Sequence, residues 1–279
     1  MYKITYNEHN FTIPNFGEIK ISGYSKSAFR TGYIIKPFNI HLDAGLPTPY
    51  VPSLILLSHG HFDHIAALYS ILDQNNKCPI MLHSELIDDT ISMLTSFKKL
   101  NSNCKTHTHD AKCKWNLISS DIFKIKLKGK EFEINTFKLD HSVLCIGFGI
   151  SMIIKNIKDE YKELDSKTIV ELKKTTDIFV TKKQGCILFI SDTSKKPLKY
   201  LPFKDYSIVI IECTFFEDEH YIESVQRKHL HWTDLEPYIK DNPTIDFCLG
   251  HFSTRYKDEY IASKYNELKQ LYPNIHFYL

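Results

Sequence analysis

The densest chemistry in this chain lies in six residues. His59-Gly60-His61-Phe62-Asp63-His64 places three imidazoles and a carboxylate side by side. Imidazole and carboxylate together are the donors that a borderline cation such as Zn²⁺ prefers, although Mn²⁺ and Fe²⁺ also accept them. The cluster follows Ser53-Leu54-Ile55-Leu56-Leu57-Ser58, an apolar run suited to a strand buried on both faces. Helical spacing follows it, over residues 65–72. A strand-to-helix loop can turn His59 and His61 to one side and Asp63 and His64 to another, which suits two ions.

Other elements must position this loop. Before it, residues 19–23, 33–35 and 40–43 read as short strands. After it come a helix over 85–100 and alternating strands over 123–127, 132–139 and 144–154. Residues 158–174 are charged with helical periodicity, and 186–191 and 207–213 are buried-strand runs. A helix over 232–240, a strand over 245–249, a helix over 258–271 and a strand over 275–278 complete the chain. Strands and helices interleave throughout, which predicts a layered α/β fold with mixed sheets.

Composition narrows the function classes. Hydrophobic residues make up 43% and charged residues 24% of 279, the balance of a globular protein and not of a disordered or fibrous chain. A net charge of +2 is that of neither a basic nucleic-acid module nor an acidic tail, so any polyanion is met by a local patch. The only arginines are Arg30, Arg227 and Arg255. No run approaches the roughly 18 apolar residues of a membrane span, and the first residues show no secretory pattern. Cys78, Cys104, Cys113, Cys145, Cys186, Cys213 and Cys248 are scattered without a C-x-x-C pair, so reduced, mostly buried thiols and a cytoplasmic location are expected. Cys104, His107, His109 and Cys113 match no common structural zinc spacing and read as part of a lysine-rich loop.

His-x-His-x-Asp-His after an apolar strand, with Leu42-Asp43-Ala44-Gly45 upstream, resembles the metallo-β-lactamase superfamily. Leu139-Asp140-His141-Ser142, Phe189-Ile190-Ser191-Asp192-Thr193 and Gly250-His251-Phe252-Ser253-Thr254-Arg255-Tyr256 follow in that family's order. The last of these, with Glu212-Cys213-Thr214-Phe215 and His231-Trp232-Thr233, is similar to the ribonuclease Z branch, the tRNA 3′-processing endonucleases. The resemblance implies one domain over residues 1–279, an αβ/βα four-layer sandwich of two mixed sheets flanked by helices, with metals at the open edge.

Carried over residue by residue, the resemblance implies that His59, His61 and His141 hold one metal. It assigns Asp63, His64 and His251 to a second, with Asp192 bridging. A hydroxide shared by two ions would then attack a phosphodiester of RNA, with precursor tRNA as the default substrate. Asp63 would orient that hydroxide. His231 is the candidate proton donor to the departing oxygen, with His229, two residues away, as its rival. Asp43 and Glu212 would hold ligand imidazoles in their tautomers. Arg255 reads as a phosphate contact or a carboxylate partner, and Lys26, Ser27 and Arg30 as substrate contacts or an exposed turn. The branch is commonly dimeric, so a homodimer is expected.

One stretch departs from the branch. Residues 156–185 contain no proline and only Gly185, where ribonuclease Z enzymes carry a Gly/Pro-rich arm, and they read as a charged helical insert. That absence supports an alternative, a small-substrate phosphodiesterase such as one opening cyclic nucleotides. A non-catalytic binding subunit is disfavoured by the complete ligand set, and lactam or thioester hydrolysis by the His231 and His251–Tyr256 motifs.

Overall fold

A computed structural model describes residues 5–73, 75, 77–101 and 115–279. Among these, fourteen strands form two sheets of seven. The first sheet runs β1 (Asn7–Ile13), β2 (Gly17–Lys26), β3 (Arg30–Lys36), β4 (Ile40–Leu42), β5 (Leu54–Leu56), β6 (Pro79–Met81) and β7 (Asn116–Ile118). The second runs β8 (Ile122–Leu127), β9 (Lys130–Lys138), β10 (Ile146–Ile157), β11 (Phe179–Ile190), β12 (Tyr206–Glu212), β13 (Asp246–Gly250) and β14 (Ile275–Phe277). In both, spatial order follows chain order. The first four strands of each pair antiparallel and the last three continue in parallel.

Parallel pairs need crossovers, and helices supply most of them. On the first sheet these are α1 (Phe62–Ile65), α2 (Leu68–Leu72) and α3 (Ile87–Asn101). After α4 (Ser166–Thr175), the second sheet uses α5 (Tyr221–Arg227), α6 (Trp232–Lys240) and α7 (Asp258–Leu271). Period-two alternation then sorts the apolar residues. Ile40, Leu42, Leu54 and Leu56 meet Phe148, Ile187, Phe189 and Ile210 between the sheets. Ile55, Leu57 and Ile80 turn outward onto Leu68, Leu72 and Leu94, while Leu188, Ile190, Val209 and Ile211 turn onto Leu235, Ile239 and Ile261. Helix, sheet, sheet and helix form the expected four layers.

The differences from the sequence reading have local causes. The helix expected over 65–72 is split into α1 and α2, because the chain there bonds to the loop after β4: Ala44 N–H donates to His64 O and Ala67 N–H to Ala44 O, each at 2.8 Å. The strands β1, β6 and β7 and the helix α5 were not expected. Of these, β6 and β7 are three residues each, and β1 buries only Phe11 and Ile13. The helical insert is instead a two-stranded ribbon tipped by a helix. Here β10 and β11 stay paired out to Ile157 and Phe179, and Asp165 caps α4 by accepting from Lys167 N–H and Thr168 N–H. The outer end of β11 is largely exposed and lysine-rich, so it leaves no apolar run to read. The Cys104–Cys113 stretch lies outside the described residues.

Candidate metal centre

The parallel strands of both sheets deliver their carboxyl ends to one edge, where loops collect functional groups. Asp43 follows β4, and the His59–His64 loop follows β5. Asp192 follows β11, Glu212 ends β12, and His251 follows β13. His141 comes from the β9–β10 connection. Close approach is built in at Gly45, where a Cβ would meet Asp63 O at 1.7 Å. Asp43 and His251 hold left-handed backbone at φ 57 and 61, costly for residues with side chains and typical of functional sites.

Seven sequence-predicted ligands meet at this edge. One ligand atom from each of His59, His61, His141 and Asp192 lies within 4.8 Å of the others, and so do those of Asp63, His64 and His251. Asp192 touches both groups. Its Oδ2 is 3.7 Å from His59 Nε2 and His141 Nε2, 3.5 Å from His64 Nε2 and 3.3 Å from His251 Nε2.

The hydrogen bonds behind the imidazoles show what the front is built for. The Ser58 hydroxyl donates to Asp43 Oδ2 (3.0 Å) and so accepts from His59 Nδ1–H (2.9 Å). His64 Nδ1–H donates to Asp43 Oδ2 (2.7 Å), His141 Nδ1–H to Lys228 O (3.2 Å), and His251 Nδ1–H to Thr214 Oγ1 (3.0 Å). In its neutral form each of these four rings therefore turns an unprotonated Nε2 inward. His64 Nε2 and His251 Nε2 face each other at 3.3 Å, as do His141 Nε2 and His61 Nδ1 at 3.2 Å. His59 Nε2 and Asp192 Oδ1 are buried with no partner. Ring nitrogens crowded face to face, beside an unpartnered buried carboxylate oxygen, fit a site made for divalent cations.

The electrostatics agree. Burial raises the Asp63 and Asp192 carboxyls, but the facing histidines outweigh it and hold both well below the ordinary carboxylate range. Burial lowers His59 far below its ordinary value and also lowers His61 and His141, keeping these imidazoles neutral. His64 is pulled the other way: burial opposes its charge, but Asp192 and Asp43 raise it well above its ordinary value. The centre thus demands positive charge at its middle.

No family model matches the chain. Over 251 residues it is 23% identical to the ribonuclease Z of Ligilactobacillus salivarius, covering 79% of this chain and 75% of that one. It is also 23% identical, over 251 residues, to the ribonuclease Z of Treponema denticola, with coverage of 78% and 76%. Among solved structures it superposes on the metallo-β-lactamase fold protein YhfI of Bacillus subtilis with a TM-score of 0.55 at 16% identity, covering 93% of this chain and 95% of that one. Human tRNase Z, short form, gives 0.54 at 16% identity, with coverage of 85% and 93%. Unliganded yeast PDE1 gives 0.54 at 12%, with coverage of 92% and 95%. The chain has the metallo-β-lactamase fold.

Within that fold the remaining candidates separate. The structure does not bring His231 to the cluster. Its Nδ1 accepts from Thr233 N–H (3.3 Å) at the start of α6, and its Nε2–H donates to Glu217 O (3.0 Å), so both ring nitrogens are used in folding. Thr233, which shares its sequence motif, is its capping partner. His229 stands at the centre instead, its ring stacked on His251 at 5.1 Å and tilted against His141 at 4.9 Å. Its Nδ1 meets Glu212 Oε1 at 3.0 Å. Burial opposes its charge, but Glu212 wins and raises it to about 9. Glu212 also accepts from Thr193 N–H (2.7 Å), Leu230 N–H (3.1 Å) and the Thr214 hydroxyl.

The other candidates line the rim. Arg255 and Arg227 both reach Glu223 Oε1 at 2.8 Å, beside a cavity of about 280 Å³ that His229 and Ser27 also line. Lys26 is paired with Asp258 at 2.6 Å. Arg30 lies over Phe62. Sequence reasoning missed Ser58 and Thr214 as orienting groups, although each sits inside or beside a motif already quoted. The five described cysteines are free and buried, and no described helix is long and apolar enough to cross a membrane.

Proposed function

We propose that this protein is a metal-dependent phosphodiesterase of the ribonuclease Z type, cleaving RNA at the 3′ end of precursor tRNA. The observation that carries this reading is the His229–Glu212 pair standing against a ring of inward-facing imidazoles around Asp192. His59, His61 and His141 would hold one divalent cation and Asp63, His64 and His251 another, with Asp192 between and Zn²⁺ the best match to these donors. When bound, such cations supply a water acidified toward neutrality and a counter-charge for phosphoryl oxygens.

The chain's own groups do the rest. Asp63 Oδ2 accepts from Ala28 N–H at 3.0 Å, which fixes the carboxylate so that it can orient the attacking water. It stays ionised, since its histidine neighbours outweigh burial. His229, held by Glu212 through Nδ1–H, presents a protonated Nε2 toward the centre and gives that proton to the departing oxygen. Arg227 and Arg255 meet a flanking phosphate beside His229, in exchange for Glu223. A homodimer is the accompanying assembly, read by sedimentation.

A smaller phosphodiester, such as a cyclic nucleotide, is the second reading. It is favoured by the β10–α4–β11 ribbon, which has no Gly/Pro-rich arm. Both readings are tested with metal-loaded protein on a precursor tRNA bearing a 3′ trailer, a panel of cyclic mononucleotides and bis(p-nitrophenyl) phosphate, with Asp192→Ala as the blank. Trailer removal at the discriminator base supports the first. Turnover of only the small diesters replaces it with the second, and silence on all of them overturns both.

A further inference from the structure

Of the three arginines, Arg227 and Arg255 share Glu223, whereas Arg30 has no carboxylate partner among the described residues. Its guanidinium lies 5.1 Å from the centre of the Phe62 ring and 5.9 Å from that of Phe29, and it donates to Phe29 O at 3.2 Å. Phe62 stands between His61 and Asp63, in the middle of the ligand loop, yet it is 69% exposed. Phe29, also exposed, leans on Tyr24 at 6.2 Å. A single exposed phenylalanine needs no explanation. Two of them flanking an unpaired guanidinium at the mouth of a polar, carboxylate-rich centre form a built surface.

That surface is fixed relative to the centre. The turn between β2 and β3 is tied down where Ala28 N–H donates to Asp63 Oδ2 (3.0 Å), Ser27 N–H to Phe252 O (3.0 Å) and Phe29 N–H to Lys26 O (3.1 Å). Phe62 is held from its other side by α1, which it begins. Arg30 over one part of the ring therefore leaves the rest open to solvent, at a set position beside Asp63.

We infer that Phe62, backed by Arg30 and Phe29, is the stacking platform for a nucleobase next to the phosphodiester that is cut. The inference rests on the phosphodiesterase reading and narrows it to substrates that carry a base beside the reacting phosphate. A ring face stacks on any base, so the platform selects nucleotides over base-free diesters without selecting a sequence. Arg30 keeps the ring in place and offers a cation to the base or its phosphate.

Binding and kinetics test this separately. Phe62→Trp puts an indole on the platform, and its fluorescence is followed while adenosine monophosphate or ribose 5-phosphate is added, with the unsubstituted protein as blank for Trp115 and Trp232. Saturable quenching by adenosine monophosphate and none by ribose 5-phosphate is the expected result; equal responses, or none to either, overturn the platform. In turnover of a dinucleotide, Phe62→Ala and Phe62→Leu raise KM about tenfold with kcat nearly unchanged, and Phe62→Tyr restores it. An unchanged KM in Phe62→Ala also overturns the platform. If no phosphodiester is cleaved at all, the proposed function fails on its own, while the quenching experiment still decides whether a base binds.

Discussion

The two halves of the molecule repeat one topology, and an aspartate follows the corresponding strand in each. Both β4 and β11 are the point where antiparallel pairing gives way to parallel pairing. Asp43 follows β4 directly, and Asp192 lies two residues past β11. Their surroundings are opposite. Both oxygens of Asp43 are satisfied, Oδ1 by Ser58 N–H (2.8 Å) and Oδ2 by the Ser58 hydroxyl and His64 Nδ1–H. Asp192 leaves Oδ1 with no partner and aims Oδ2 at four imidazoles. One carboxylate stands behind an imidazole and fixes its tautomer; the other faces the imidazoles. The same edge of the same fold yields support or function according to whether neighbouring donors saturate the carboxylate.

Asp192→Asn should break the comparison most sharply. It removes the charge shared by both ligand groups, so bound metal should fall below one equivalent by elemental analysis. kcat/KM should drop by roughly 10⁴-fold. His229→Ala comes next. It leaves every metal-facing nitrogen of the seven ligands in place, so metal content should hold while kcat falls about 10³-fold. Loss of metal in His229→Ala would make His229 a ligand instead of a proton donor.

Asp43→Asn sharpens the contrast by touching only support. The amide can still accept from His64 Nδ1–H but no longer carries the charge that strengthens that bond. Metal affinity should weaken by about 10- to 100-fold, read by competition with a chelator. The protein should remain folded. An effect as large as that of Asp192→Asn would erase the distinction between the two aspartates.

Much of this centre was legible because its ligands belong to short motifs in which chemistry and spacing coincide. All seven expected ligands converge, including His141 and His251, which lie far from the loop in sequence. A layered α/β fold with mixed sheets was legible from the interleaved elements, the buried runs of β5, β11, β12 and β13 among them, whereas the four-layer order came only with the family resemblance. What escaped was whatever depends on direction. His229 and His231 differ by two residues, and no periodicity tells which imidazole faces the His/Asp cluster, since Thr233 suits a helix cap as well as an active site. The ribbon of β10 and β11 escaped because its outer rungs are solvated, so pairing continues without an apolar signature. Phe62 escaped because exposure is a property of the fold, not of the residue.

Glu212→Gln tests the support of the second half through pH. His229 must be protonated to donate, so the rate falls as pH rises through its pKa, placing the alkaline limb near 9 in the native protein. Without the Glu212 charge, burial is opposed only by the weaker pull of Asp192, so the imidazole is lowered and the limb should move to lower pH. The same shift carries stability. The folded value is raised above the unfolded one, so this contribution is complete below about pH 6.5 and is lost as pH rises through about 9. Glu212→Gln should remove that dependence, seen as thermal midpoints that no longer decline over this range. An alkaline limb that stays in place would show that another group donates the proton.

The smallest expected effect is at His231, and it separates the two histidines most directly. Its Nδ1 caps α6 and its Nε2–H satisfies the Glu217 carbonyl in a fully buried position. His231→Asn keeps a side-chain acceptor for Thr233 N–H but gives up the reach to Glu217. It should therefore cost about 1–2 kcal/mol of stability in denaturant unfolding. Metal content and the alkaline limb should not move, because nothing in its bonding touches Asp192, His251 or Glu212. A His231→Asn protein that folds normally but loses turnover as His229→Ala does would return the proton to His231 and leave His229 as its neighbour.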